Sequence, residues 1–232
     1  MLRESDERWL HDAHPTLAVD GNAIAGTIKF KASYDRQANR FVILDDSAAA
    51  EPCGLILAGE FDVRIEERDN KSDSRLPALY VRGIAPVPDR HFSQGDKSAC
   101  LCSPLEEDEF LEPEFHFRLY VEQLVIPFLY GQMFYSSHGR WPWREYAHGG
   151  TGLLEAYASV PDDSRAEECL RKLERDGNWA RIRSALLQEP YMKGHTQCFC
   201  PAMDQIRRCH PAALSGALLL QRHLRARGIS IT

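Results

Sequence analysis

The chain has 232 residues, enough for one medium domain or one domain with an appendage. Hydrophobic residues make up 44% and charged residues 27%, as in ordinary globular proteins, and a net charge of −6 gives no basic footprint for a nucleic acid. No apolar run is long enough to cross a bilayer. The opening Met1 to Arg8 is charged and lacks the apolar centre of a secretory leader, so a cytoplasmic chain is expected. Seven cysteines, an odd number, argue against a complete disulfide framework, and in a reducing compartment clustered cysteines mean metal binding or thiol chemistry.

In chain order, Glu4 to His11 reads as a short amphipathic helix carrying Trp9 and Leu10, ended by Pro15. From Ile24 the pattern has period two: Ile24, Ile28, Phe30 and Ala32 point one way, and Lys29, Lys31 and Ser33 the other. Asp35 to Asn39 reads as a turn, Phe41 to Leu44 as a short strand, and Asp45 to Pro52 as a loop. Leu55, Leu57, Phe61, Val63 and Ile65 alternate with charged residues, the clearest strand pattern in the chain. A charged loop over Asp69 to Arg75 and a fourth strand over Leu79 to Val81 follow. Four strands joined by polar turns predict an antiparallel meander with one face covered by helices, an α+β fold.

Next comes the polar stretch Asp89-Arg90-His91-Phe92-Ser93-Gln94-Gly95-Asp96-Lys97-Ser98-Ala99-Cys100-Leu101-Cys102. Ser103 to Pro113 is acidic and is expected to be a solvated loop. Glu114 to Tyr135 is apolar almost all round, the pattern of a buried helix, with Pro127 expected to kink or interrupt it. His138 to Gly150 holds Trp141, Trp143, His138 and His148 and reads as a loop, its tryptophans sealing the core edge or one of its histidines lying beside a cysteine. Thr151 to Ser159, Asp162 to Arg175 and a segment capped by Asn178 read as helices, with Gly177 and Pro190 as stops. Cys53 and Cys169 sit in apolar settings and read as core residues.

The strand, the polar turn and the thiol together resemble the active-site stretch of ubiquitin-conjugating enzymes. The family's His-Pro-Asn reads His91-Phe92-Ser93 here, and its Asp-Gly-x-x-Cys-Leu ending reads Asp96-Lys97-Ser98-Ala99-Cys100-Leu101. The resemblance favours Cys100 over Cys102 as the nucleophile. It implies a thioester intermediate, with His91 polarising the site or holding its loop. Ser93 stands where the family has the asparagine that serves the developing oxyanion.

Near the C-terminus, Cys198-Phe199-Cys200, eight residues and then Cys209-His210 set four soft or borderline ligands at a spacing suited to tetrahedral zinc. A closed set of three thiolates and one imidazole makes such a zinc structural; free buried thiols are the alternative. His195 is a fifth candidate ligand or an outer partner. The spacing looks like the SEC-C zinc motif, with Pro201-Ala202-Met203 replacing its usual Gly-Ser-Gly. Ala212 to Arg227 reads as an amphipathic helix with a basic end.

The expected organisation is a conjugating-like domain over 1–150, a helical extension over 151–190, and the zinc motif with its terminal helix over 191–232. The combination looks like the stand-alone conjugating protein of short type II CBASS antiphage operons. That resemblance implies acyl transfer through Cys100, with the C-terminus of a cGAS-like nucleotidyltransferase as cargo; the net charge and the lack of a long apolar run lead to the expectation of no nucleic-acid or membrane partner. No Gly-rich phosphate loop follows a strand, so activation must come from elsewhere or be bypassed. Competing readings are an inactive binding module, a peptidase pairing Cys100 or Cys102 with His138 or His148, and a zinc adaptor.

Overall fold

A computed structural model describes residues 4–44, 51–68, 74–159 and 162–231. Most of the loops expected over 45–52 and 69–75 lies outside the described residues. The chain divides into two compact units, one formed by Met1–Cys102 with Glu107–Arg144, the other by Ser103–Glu106 with Glu145–Thr232.

The first unit is α+β. Helix α1 (Glu4–Ala13) precedes strands β1 (Leu17–Asp20), β2 (Ala23–Asp35), β3 (Arg40–Ile43), β4 (Leu55–Glu66) and β5 (Ala78–Val81). The period-two reading of β2 places its apolar set in the core: Ile24, Ile28, Phe30 and Ala32 are buried and Lys29 and Lys31 exposed. Ser33 departs from it, being buried with its hydroxyl accepting from the Cys53 amide at 3.0 Å.

The sheet is antiparallel, with the path β1-β2-β4-β5 and β3 off that path beside β2. This corrects the expected strand order. β4 does not pair with β3; it runs along the whole of β2, from Ala23 opposite Glu66 to Tyr34 opposite Leu55. The reason is length. Four-residue β3 covers only Ala32 to Asp35, and β1 covers Ala23 to Gly26 on the same edge, which leaves the other edge to β4. β1 escaped the sequence reading because only Leu17 of its four side chains is buried, so no alternation is visible.

One helical run covers the inner face: α3 (Phe117–Tyr120), a π-helical turn (Val121–Val125) and α4 (Ile126–His138). Phe117, Tyr120, Val121, Val125 and Leu129 are fully buried and share a core with Ile28, Ile65 and Leu79. Pro127 does not break the run. Its ring conflicts with the carbonyl four residues back, at Gln123, and that residue lies in the widened turn. The short helix α2 (Asp108–Leu111) precedes this run. The stretch expected to be a solvated acidic loop is thus partly ordered: Glu107 is buried and accepts the Arg75 amide at 2.8 Å. Among the described residues, no helix is long and apolar enough to cross a membrane.

The second unit is helical: α5 (Gly149–Ser159), α6 (Ala166–Leu173), α7 (Trp179–Leu186), α8 (Ile206–Cys209) and α9 (Pro211–Ala226). Asp162 starts the turn before α6 by accepting from the Ser164 amide at 2.9 Å. Leu154, Tyr157, Cys169, Leu173, Ile182 and Leu220 form its core. Glu106 also belongs here, accepting from the Ser103 amide at 2.9 Å and from the Tyr146 hydroxyl at 2.8 Å.

Helix α9 crosses α5 at Gly216, where a Cβ would overlap the Leu154 carbonyl oxygen. Gly216→Ala must separate two helix backbones, and overpacking of this kind costs about 3 kcal/mol. Urea unfolding of the full chain checks it, with Ser215→Ala on the exposed face expected to change stability by less than about 0.5 kcal/mol. Equal effects of the two substitutions would show that the crossing is not tight.

Candidate functional site

Cys100 ends a small hairpin. Its amide donates to the His91 carbonyl at 2.8 Å, the Ser93 amide donates to the Ser98 carbonyl at 2.8 Å, and Phe92 bridges Ala99. The Ala99 amide donates to the Leu79 carbonyl at 2.8 Å, which joins the hairpin to the edge of β5. Phe92 and Ala99 are buried, so the hairpin hangs on two apolar anchors and leaves Cys100 exposed at its end.

The turn is held by an arginine that the sequence reading passed over. Arg68, at 13% side-chain exposure, donates Nε to the Leu76 carbonyl at 3.0 Å, Nη1 to Asp96 Oδ2 at 2.5 Å and Nη2 to Ser98 Oγ at 2.7 Å. Asp96 Oδ1 accepts from the Ser98 amide at 3.1 Å and from its hydroxyl at 2.8 Å. Partial burial works against the Asp96 charge, but hydrogen bonds from Ser98, Ser93 and Arg68 outweigh it and hold the carboxyl well below the usual carboxylate range.

The base of the hairpin is fixed from α4 and the following loop. His91 closes the 3₁₀ turn Pro88–Arg90 in the left-handed region, at φ 54°. Its ring meets Trp141 edge-on at 4.7 Å, and Trp141 Nε1 donates to the Asp89 carbonyl at 3.2 Å. The buried Gln132 donates Nε2 to the Arg90 carbonyl at 2.7 Å. The tryptophan therefore seals the core edge and also holds the site loop. Gly131 gives Trp141 its seat, since a Cβ there would overlap the indole.

Cys100 is open to solvent on one side and packed on the other. That packing, with the Asp96 carboxylate adding to it, pushes its thiol up, while Arg68 opposes the shift. Cys102 is half-buried against the apolar core. Ser93 Oγ accepts from the Gly95 amide at 3.2 Å and bonds Asp96, so its hydroxyl is engaged within the turn. His138, at the end of α4, stacks on Phe134 with ring centroids 4.0 Å apart and has Nδ1 3.0 Å from the Phe134 carbonyl oxygen. His148 is exposed and belongs to the second unit.

The second unit carries the other candidate. The ligand atoms of Cys198, Cys200, Cys209 and His210 all lie within 4.8 Å of one another. Cys198 Sγ is 3.1 Å from His210 Nδ1, and Cys200 Sγ is 3.4 Å from Cys209 Sγ. A tetrahedral ion with metal–sulfur bonds of about 2.3 Å sets its sulfurs about 3.8 Å apart, so the cluster has the dimensions of a four-ligand site.

Backbone bonds bring the ligands together. Gln197 bridges Gln205, the Cys198 amide donates to the Asp204 carbonyl at 2.7 Å, and the Met203 amide donates to the Cys200 carbonyl at 3.1 Å. α8 then delivers Cys209, and the His210 amide donates to the Ile206 carbonyl at 2.8 Å. Pro201-Ala202-Met203 closes the turn with Met203 at φ 52°, so this sequence makes the tight turn without glycine.

Burial raises the Cys198 thiol. At Cys200, hydrogen bonds from the neighbouring sulfurs overcome burial and lower it, and the bond with Cys200 pushes Cys209 up to about 12. Three thiols this close cannot all ionise unless a cation sits among them. His195 is exposed and is not one of the four clustered ligands.

Comparison with protein families, curated proteins and solved structures gives no match to this chain.

Proposed function

We propose that this chain is a cysteine-dependent acyl-transfer protein of the ubiquitin-conjugating kind, with Cys100 as the thioester carrier. The observation that carries the reading is an exposed thiol at the end of a hairpin pinned to a sheet edge, with its pKa raised. A peptidase nucleophile is activated by a lowered pKa. A carrier gains from the opposite. A high-pKa thiol is a poor leaving group, so its thioester is slow to break down until an acceptor amine is held against it. The four-strand antiparallel path, the left-handed His91 before the turn and the long helix after it also fit a conjugating-like domain.

In the proposed reaction the Cys100 thiolate attacks the acyl carbon of a donor already activated as a thioester on another protein. The new C–S bond forms as the donor's C–S bond breaks, and the donor thiol leaves. An acceptor amine then attacks, loses its proton and releases Cys100. His91 acts through position, held by Trp141 and by the backbone bond to Cys100. The cargo is the C-terminus of a cGAS-like nucleotidyltransferase encoded in the same operon, in antiphage signalling. Cys198, Cys200, Cys209 and His210 hold a structural zinc that cross-links the C-terminal module.

The test is intact mass under non-reducing conditions after co-expression with that nucleotidyltransferase and its activating protein. A dithiothreitol-sensitive adduct is expected, lost in Cys100→Ala and made dithiothreitol-resistant in Cys100→Ser, where the link becomes an ester. An adduct that survives Cys100→Ala and disappears in Cys102→Ala moves the chemistry by two residues. A complex without any adduct makes the chain a binding module.

A further inference from the structure

A groove of about 470 Å³ lies beside the site loop, lined by Phe61 of β4, Ile84, Arg90 and, from α4, Gln132, Met133 and Ser136. That volume falls within the range of about 300–1,000 Å³ usual for binding sites. Arg90 immediately precedes His91, so the groove begins one residue from the hairpin that carries Cys100.

The guanidinium is built into place by neutral groups. Nη1 donates to Gln132 Oε1 and to Ser136 Oγ, each at 3.2 Å, and Nη2 donates to Ser136 Oγ at 3.2 Å. Its plane lies over the Tyr135 ring, 5.1 Å from the centroid. Gln132 is only 1% exposed, and Ser136 is itself anchored by donating to the Gln132 carbonyl at 2.9 Å. A guanidinium has five N–H donors. The three bonds occupy both Nη1 hydrogens and one on Nη2. The Nε–H and the second Nη2–H have no partner among the described residues, and no carboxylate there pairs with Arg90. Those two hydrogens form the side fork that takes a carboxylate with two parallel bonds. A fixed, half-buried cation with an open fork and no counter-charge is an anion site. A single arginine among neutral and apolar neighbours suits a carboxylate.

We propose that this groove binds an extended peptide segment through one acidic side chain on Arg90, with apolar neighbours on Phe61, Ile84 and Met133. Resting on the acyl-transfer reading, it further assigns the segment to the cargo tail a few residues before the acyl carbon. The cargo is then recognised by an acidic residue near its end as well as by its terminus.

The experiment uses the full chain carrying Cys100→Ala, so that binding is measured apart from thioester chemistry. The probes are C-amidated nonapeptides of Leu, Ala and Gly with one Glu moved through each position, each paired with its Gln counterpart. At least one Glu peptide is expected to bind more than tenfold tighter than its Gln counterpart, with the preference weakening in 0.5 M salt. Arg90→Gln removes the preference. Ser137→Glu, at an exposed lining position, removes it by placing a resident carboxylate beside Arg90 in a chain whose core is untouched. Equal binding of Glu and Gln peptides, no binding by any, or a preference that survives both substitutions overturns the proposal. Displacement by acetate as potent as by peptide reassigns the groove to small carboxylates and overturns it too. If an adduct forms on Cys100 without any Glu preference, the groove inference falls alone; if the preference holds and no adduct forms, the acyl-transfer reading falls alone.

Discussion

Cys209→Ser is expected to abolish metal binding at the four-residue cluster and to unfold the segment from Gly194 to His210. The segment has little apolar mass of its own: Phe199 and Ile206 are its large buried apolar side chains. Its other ties are single hydrogen bonds, such as the Arg207 amide to the Gly194 carbonyl at 3.1 Å and Arg181 Nη2 to the Cys198 carbonyl at 2.5 Å. Structural zinc in small finger peptides supplies about 10–16 kcal/mol, against a total stability of about 5–15 kcal/mol for a whole domain. Even a fraction of that decides whether the C-terminal module is folded. Elemental analysis should give one metal per chain in the wild type and none in Cys209→Ser, with a lower, broader thermal transition. Cys169→Ser supplies the contrast: its thiol is buried in the same unit's core, so the variant is destabilised yet keeps its metal. A metal-free wild type, or full metal in Cys209→Ser, would leave the four residues as neighbouring thiols and nothing more.

What the sequence exposed and what it concealed divide along the range of the interactions. β2, β4 and the buried helical run were legible because their side chains alternate, or are apolar all round, within a single window. The cluster of Cys198, Cys200, Cys209 and His210 was legible because its spacing is local. The pairing of β4 with β2 was not, because pairing depends on which edge a short hairpin leaves open. Nor was the network behind Cys100. Arg68 reaches Asp96 and Ser98, about thirty positions away, and Gln132 and Trp141 reach the Arg90 and Asp89 carbonyls from further still. Each of these residues looks like ordinary surface or core in its own neighbourhood. The faint signal was compositional: the Asp96-x-Ser98 pair is a turn former that leaves one carboxylate oxygen in want of a cation. Glu107 misled for the same reason, since an acidic run looks solvated until the backbone amide it serves is known.

That network gives the second large effect, two substitutions of opposite sign on one thiol. Arg68→Met removes the cation that favours the Cys100 thiolate, and Asp96→Asn removes the anion that opposes it. The thiol moves up in the first and down in the second. Thiolate fraction changes about tenfold for each step of one in pKa, and the accompanying change in nucleophilicity offsets part of it, so alkylation at pH 8 should change about threefold. Slower labelling in Arg68→Met and faster labelling in Asp96→Asn is the expected pair, read by mass at Cys100 under limiting iodoacetamide. Stability separates electrostatics from collapse of the turn. Arg68→Met leaves Asp96, Ser98 and the Leu76 carbonyl short of a donor and costs about 2 kcal/mol, below the roughly 3–5 kcal/mol for a fully buried pair because Asp96 is 39% exposed. The Asp96 carboxyl sits lower in the folded chain than in the unfolded one. Its contribution is therefore present above about pH 4 and is lost as the pH falls through its folded value. Asp96→Asn should accordingly flatten the acid limb of the stability curve, whereas Ser93→Ala, which removes one weaker partner, should shift it slightly. If both Arg68→Met and Asp96→Asn simply speed labelling, the hairpin has opened in each, and the pinned geometry rather than the local charge governs the thiol.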